Sequence, residues 1–139
     1  NLEIGFGEGE NLIFQSKKKK KDIFLAIDPF ISGGLKLKKK IEIIKILNIF
    51  FSNVSFSQFF EIASEVNLKK ILILFPDPWK KKKHKKRRLI NEEFVKNLDK
   101  ITLKYSEILI ATDDEDYSNQ ILIINQLHTF NLYCIYSIR

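Results

Sequence analysis

Short apolar runs alternating with longer amphipathic or charged stretches constrain this chain more than any other feature. Parallel strands need a long return connection, so this alternation predicts a parallel sheet with crossover helices. The strand candidates are Leu2–Ile4, Ile23–Ile27, Ile49–Phe51, Ile71–Phe75, Ile108–Ala111 and Leu132–Ile138. The helix candidates are Glu8–Lys19, Ile31–Leu47, Phe56–Val66, Asn91–Lys104 and Asp116–Leu127. Asn91 has the chemistry of an N-cap, and Phe94, Val95, Leu98, Ile101 and Leu103 follow it as one buried stripe. Asp116 opens the last helix in the same way, with acids where the helix dipole favours them. No internal repeat and no Gly/Ser linker marks a boundary, so the expectation is a single, doubly wound α/β domain over residues 1–139.

At 139 residues the chain is long enough for one real core and too short for two. No apolar run reaches the about 18 residues a membrane span needs, and the N-terminus lacks a signal-peptide layout. A lone cysteine, Cys134, allows neither an internal disulfide nor a metal cluster, so no metal is expected. These features lead to the expectation of a cytoplasmic protein with no membrane partner. The chain contains no methionine, opens on a strand and stops at Arg139 inside another. It reads as a fragment, truncated at both ends.

Net charge is +7, and its distribution matters more than its size. Lys80 to Arg88 places eight of the 24 Lys and Arg residues in nine positions, with His84 as the ninth. The other sixteen face 17 acids, so the rest of the chain is close to neutral. A local cluster of this density favours docking of an anionic partner at one place.

In doubly wound sheets the ligand sits beyond the carboxyl ends of the strands. Those ends carry a glycine loop, Asp28, Asn53, Asp77 and Asp113. The loop, L-E-I-G-F-G-E-G-E (residues 2–10), passes from strand to helix through Gly5, Gly7 and Gly9, which let backbone approach a ligand closely. A dinucleotide fold wants G-x-G-x-x-G, with pyrophosphate at the helix start. Here Glu10 fills the last of those positions and Glu8 lies beside it, so a ligand with a nucleoside and a cation suits the loop better. S-adenosylmethionine answers that description. Asp28, at the second strand's end, stands where a carboxylate accepts from ribose hydroxyls.

The fourth strand ends in F-P-D-P-W, Phe75 to Trp79, directly before the cationic run. Prolines on both sides of Asp77 fix the neighbouring φ angles and hold the acid in place. Trp79 either stacks on a nucleobase or wedges the loop against the core, and His84 reads more readily as a spectator than as a specific contact.

With these residues in view, the chain resembles the bacterial tRNA (guanine-N7)-methyltransferases. The resemblance rests on E-I-G-F-G-E-G (Glu3 to Gly9), on F-P-D-P-W, and on the basic run with His84 and K-R-R-L (Lys86 to Leu89). A-T-D (Ala111 to Asp113) with Tyr117 completes it, over roughly Leu2 to Leu127. It implies a Rossmann-like S-adenosylmethionine-dependent methyltransferase fold, with methyl transfer to N7 of a guanine in the tRNA variable loop. It further implies Glu3, Asp28 and Asp77 around S-adenosylmethionine, with Asp77 also the active-site acid, and Lys81 and Asp113 on the tRNA side. Where the family has an acid to hold the adenine amino group, this chain has Asn53, whose amide oxygen accepts without a charge. The family's C-terminal T-x-F-E motif and the segment before the first strand are absent from these 139 residues. Two other readings use the same residues. One is a different S-adenosylmethionine-dependent methyltransferase, which leaves the basic run idle; the other is a degenerate RNA-binding relic of the family.

Overall fold

The computed structural model describes residues 1–63, 66–125 and 131–136, and it resolves into two compact units, Asn1–Ala63 and Ser64–Arg139. Each is a run of strands with helical segments between them.

In the first unit the order is β1 (Leu2–Ile4), α1 (Glu10–Lys18), β2 (Phe24–Ile27), α2 (Ile31–Ile44), β3 (Ile49–Ser52) and α3 (Phe56–Ile62). The strands pair in parallel, with Leu2 opposite Leu25 and Phe24 opposite Ile49, so β2 lies between β1 and β3. Phe6, Leu12, Phe24, Ala26, Leu37 and Ile49 form the core, and the Phe6 ring meets the edge of Phe51 at 5.7 Å. Helix α1 begins at Glu10 rather than Glu8, because Gly9, at φ 80, is its N-cap. Helix α2 stops at Ile44 rather than Leu47, because Lys45 takes the left-handed conformation (φ 57) that closes helices. Helix α3 opens on a capping box: Ser55 and Gln58 each accept from the other's main chain. It ends at Ile62, short of the expected Val66; residues 64 and 65 lie outside the described residues.

The second unit runs β4 (Leu68–Leu74), a 3-10 helix (Lys82–Arg87), α4 (Glu92–Ile101), β5 (Thr102–Thr112), α5 (Glu115–Asn125) and β6 (Asn131–Tyr136). Strand β5 pairs in parallel with β4 on one side and β6 on the other, with Ile110 opposite both Ile73 and Cys134. Ile71, Ile73, Ile108 and Ile110 are fully buried, as are Val95 and Leu98 of α4 and Tyr117 and Ile121 of α5. Asn91 caps α4 as expected, accepting from the Phe94 amide at 2.9 Å. Leu103, read as the end of the α4 stripe, belongs instead to β5 and is 40% exposed. The helix stops because the Thr102 hydroxyl donates back to the Leu98 carbonyl at 3.0 Å, releasing the chain into an extended run. The cap of α5 is Asp114 rather than Asp116: its Oδ1 accepts from the Tyr117 amide at 2.8 Å, and Asp116 sits in the first turn. Sequence reading carried α5 to Leu127 and β6 to Ile138, and those last positions lie outside the described residues.

Among the described residues no helix is long and apolar enough to cross a membrane.

Candidate active site

The first unit gathers its strand ends into a stapled rim. Gly5, Gly7 and Gly9 all have left-handed φ (79, 56 and 80°). The Gly7 amide donates to Asp28 Oδ2 at 2.8 Å, and the Phe30 amide donates to Oδ1 of the same carboxylate at 2.9 Å. Asp28 therefore ties the loop after β1 to the turn after β2, while each oxygen keeps further acceptor capacity. Asn53, just past β3, donates from Nδ2 to the carbonyls of Asp28 and Phe30 at 3.0 and 3.1 Å. Above Gly5 and Gly7 a Cβ would meet nothing within 4 Å, so the loop faces open space there.

Glu3 is buried, 5% exposed, and its Oε2 accepts from Asn11 Nδ2 at 2.8 Å. Burial pushes its carboxyl up to about 7, against the partial relief of the Asn11 bond. Glu8 and Glu10 do not stand as bare charges. Glu8 pairs with Lys36, and Lys40 reaches both Glu10 Oε1 at 2.6 Å and the Glu8 carbonyl at 3.0 Å. The Lys40 hydrogen bond holds the Glu10 carboxyl below its usual range. Paired with these lysines, Glu8 and Glu10 would repel a pyrophosphate less than two bare carboxylates would.

Two glycines that the sequence reading passed over support this rim. A Cβ on Gly33 would lie 2.1 Å from the Gly7 carbonyl oxygen, and one on Gly34 would lie 2.2 Å from Asn53 Oδ1. The signal was present, since paired glycines inside a helix cost about 1 kcal/mol each relative to alanine and call for a close-packing reason.

In the second unit β4 gives way to a turn whose two ends are both left-handed: Phe75 at φ 52 and Trp79 at φ 45. Such conformations are strained in non-glycine residues, by about 1–3 kcal/mol each, and persist only where the surroundings impose them. Asp77, between Pro76 and Pro78, is exposed at the centre of this turn. Asp113 is also exposed, just past β5. Lys81, exposed, is the N-cap of the 3-10 helix, and its carbonyl accepts from the His84 amide at 2.7 Å. The His84 ring packs edge-on to Trp79 at 5.8 Å, and the Arg87 guanidinium lies 5.1 Å from the same indole.

The cationic run divides in two. Lys81, Lys82, Lys83, Lys86 and Arg87 are exposed and without a carboxylate partner among the described residues. Lys85 pairs with Asp116 at 2.6 Å and Lys80 lies 4.0 Å from Asp114. Arg88, counted with the outward cations from sequence, is turned inward and is 3% exposed. The hydrogen bonds of Lys85 and then Arg88 hold the Asp116 carboxyl below its usual range. Burial pushes the Tyr117 phenol up to about 12. Among the described residues no group of His, Cys, Asp or Glu is arranged to hold a metal ion.

A family model described as "Putative methyltransferase" matches residues 1–135. The chain belongs to that methyltransferase family. The resemblance carried by E-I-G-F-G-E-G and F-P-D-P-W is borne out by relatives of that name. The tRNA (guanine-N(7)-)-methyltransferase of Wolbachia pipientis wMel is 40% identical over 120 residues, covering 86% of this chain and 54% of the relative. The enzyme of the same name from Neorickettsia sennetsu is 32% identical over 120 residues, covering 86% and 55%. The chain thus spans about half the length of the curated relatives it matches. A solved structure described as that of an antibiotic-related methyltransferase superposes with a TM-score of 0.60 over 89% of this chain and 66% of that one, at 18% identity. The expected α/β methyltransferase fold is therefore the one observed, and family membership implies a methyl donor.

Proposed function

We propose that this chain transfers a methyl group from S-adenosylmethionine to N7 of a guanine in the tRNA variable loop. One observation carries the reading: an exposed aspartate on a strained Pro-Asp-Pro turn leads directly into a helix of outward cations. It occurs in a chain whose relatives bear this activity's name. A tRNA substrate implies that the reaction takes place in the cytoplasm.

The residues present fit S-adenosylmethionine. The open approach above Gly5 and Gly7 admits a ligand against the backbone. Asp28 keeps lone pairs for ribose hydroxyls, and Glu3 offers a carboxylate that a neighbouring cation would ionise. Asn53 keeps an amide oxygen for the adenine amino group. S-adenosylmethionine, when bound, supplies a methyl on a positively charged sulfur.

Guanine N7 carries a lone pair and no proton, so no general base is required, and alignment is the enzyme's main contribution. As the methyl arrives, the purine gains positive charge. A fixed carboxylate beside its N1–H and amino edge stabilises that charge more in the transition state than before it. Asp77 takes this role, with Asp113 at the substrate side. Lys81 and the exposed cations around it draw in the phosphates and offset the repulsion between a bare carboxylate and a polyanion.

The test is methyl transfer from labelled S-adenosylmethionine to bulk tRNA, followed by borohydride and aniline cleavage, which breaks RNA at N7-methylguanosine. Label in tRNA with cleavage in the variable loop is the expected result. Label in another base, or in protein, would overturn the reading.

A further inference from the structure

Arg88 is the eighth cation of the basic run and the one that leaves it. Its Nε donates to the Pro78 carbonyl at 2.7 Å, Nη1 to Gln120 Oε1 at 2.7 Å, and Nη2 to Asp116 Oδ2 at 2.6 Å. Asp114 Oδ1 lies 3.7 Å from Nη2, and the guanidinium lies 4.6 Å from the centre of the Tyr117 ring. The anchors are themselves held: Tyr117 Oη accepts from the Ile90 amide at 2.9 Å, and Gln120 Nε2 donates to the Ile90 carbonyl at 2.9 Å. Burial of an arginine is tolerated only with such a full set of partners.

One of those partners is the turn that carries Asp77. The near end of the turn is fixed by the sheet, where the Phe75 amide donates to the Ala111 carbonyl at 2.7 Å. The far end has Trp79 in a strained conformation, and the carbonyl just before it is the one Arg88 takes. Proline at 78 has no amide hydrogen to offer the turn a bond of its own. The guanidinium fork reaches three acceptors on two elements at once, a geometry that a single ammonium cannot reproduce.

We infer that Arg88 is a positioning residue, clamping the Pro-Asp-Pro turn to helix α5 so that Asp77 is held in one place, and that it takes no part in gripping nucleic acid. The inference rests on reading Asp77 as the active-site acid.

Trp79 is the single tryptophan of the sequence and sits in the clamped turn, so its fluorescence reports the clamp without any assay of activity. Arg88→Lys keeps the charge and loses the fork. It is expected to retain the parent's circular dichroism while acrylamide quenching of Trp79 rises about twofold, as a locally opened segment requires. Turnover should fall about 10- to 100-fold, the scale of a small misplacement of a reacting group. In an Asp77→Asn background Arg88→Lys should cost nothing further. Arg88→Gln should leave the salt dependence of tRNA binding unchanged, whereas removal of a phosphate-binding charge would lower the log–log slope by about 0.7–0.9.

Unchanged Trp79 quenching in both Arg88 variants, or a lowered salt slope, would overturn the inference. Should Arg88→Lys fail to fold, Asp116→Ala removes one exposed anchor, and it too must raise quenching for the clamp to stand. Parent-like turnover in Asp77→Asn alone would instead remove Asp77 from catalysis while the quenching result still judged the clamp.

Discussion

The side-chain amide of Asn53 donates to the main-chain carbonyl of Asp28 at 3.0 Å and to that of Phe30 at 3.1 Å. Two carbonyl acceptors fix which way the amide faces, since only its nitrogen donates. Asn53 thereby braces the turn that presents the Asp28 carboxylate to Gly7. An aspartate at 53 would supply the acid that the resemblance implies at this position, but it has no proton to give and would stand against two carbonyl oxygens. Asn53→Asp is therefore expected to lower stability by about 1–2 kcal/mol and to weaken S-adenosylmethionine binding. Urea unfolding and calorimetry check both quantities. Tighter binding at unchanged stability would mean that position 53 serves the ligand alone.

Asp77→Asn is expected to reduce methyl transfer about 10²–10³-fold, the usual effect of removing one preorganised charge from a reacting centre. The side chain is exposed and its neighbours hold the turn by main-chain bonds, so the unfolding midpoint should not move. Turnover within a few-fold of the parent would exclude the carboxylate from the chemistry.

Most of the fold was legible because its signals are local. The apolar runs found the six strands of the described residues, and Asn91 with the stripe behind it found α4. What escaped depends on contacts between distant positions. The end of α4 is decided by the Thr102 hydroxyl, and Leu103 continues the apolar pattern into a strand that the pattern alone reads as helix. In the candidate site, glycines and acids at strand ends announced themselves by position. Arg88 did not: eight cations in nine positions look alike until one of them is found under Tyr117 and Pro78. Gly33 and Gly34 were visible but unexplained, because their purpose lies at Gly7 and Asn53.

Gly33→Ala tests that purpose. Alanine improves helix propensity by about 1 kcal/mol, and on local grounds the variant should be more stable. Its Cβ, however, would meet the Gly7 carbonyl oxygen at 2.1 Å, and backbone yields less readily than a flexible side chain. Net destabilisation, together with weakened S-adenosylmethionine binding through the displaced loop, is the expected outcome. A stability gain with unchanged affinity would show that the loop and helix do not need this approach.

The division of the basic run gives a second contrast. Neutralising Lys81, Lys82 and Lys83, which lack internal carboxylate partners among the described residues, should weaken tRNA binding. The salt slope should fall by up to about 2–3, at about 0.7–0.9 for each phosphate no longer neutralised. S-adenosylmethionine affinity should stay within error. Binding measured across a salt series decides the matter, and an unaltered slope would detach these lysines from the nucleic acid.

Glu3 makes the stability of the chain depend on pH in a defined window. Its carboxyl is raised from an ordinary 4.5 to about 7 by burial, so the folded state holds the proton more tightly than the unfolded state does. The favourable contribution is fully present below pH 4.5 and is lost as pH rises through 7. At most about 3 kcal/mol is involved, from the size of the shift. Glutamine keeps the shape and an oxygen to accept from Asn11, but cannot ionise. Stability of the parent minus that of Glu3→Gln should therefore decline between pH 5 and pH 8, whatever the other groups do. A cationic ligand beside Glu3 favours its ionised form, so S-adenosylmethionine affinity should rise over the same window in the parent and stay flat in the variant. Denaturation midpoints and dissociation constants at pH 5, 6, 7 and 8 test the two effects separately. Parallel stability curves would mean that Glu3 is charged throughout, and flat affinity in the parent would place the ligand's cation away from it.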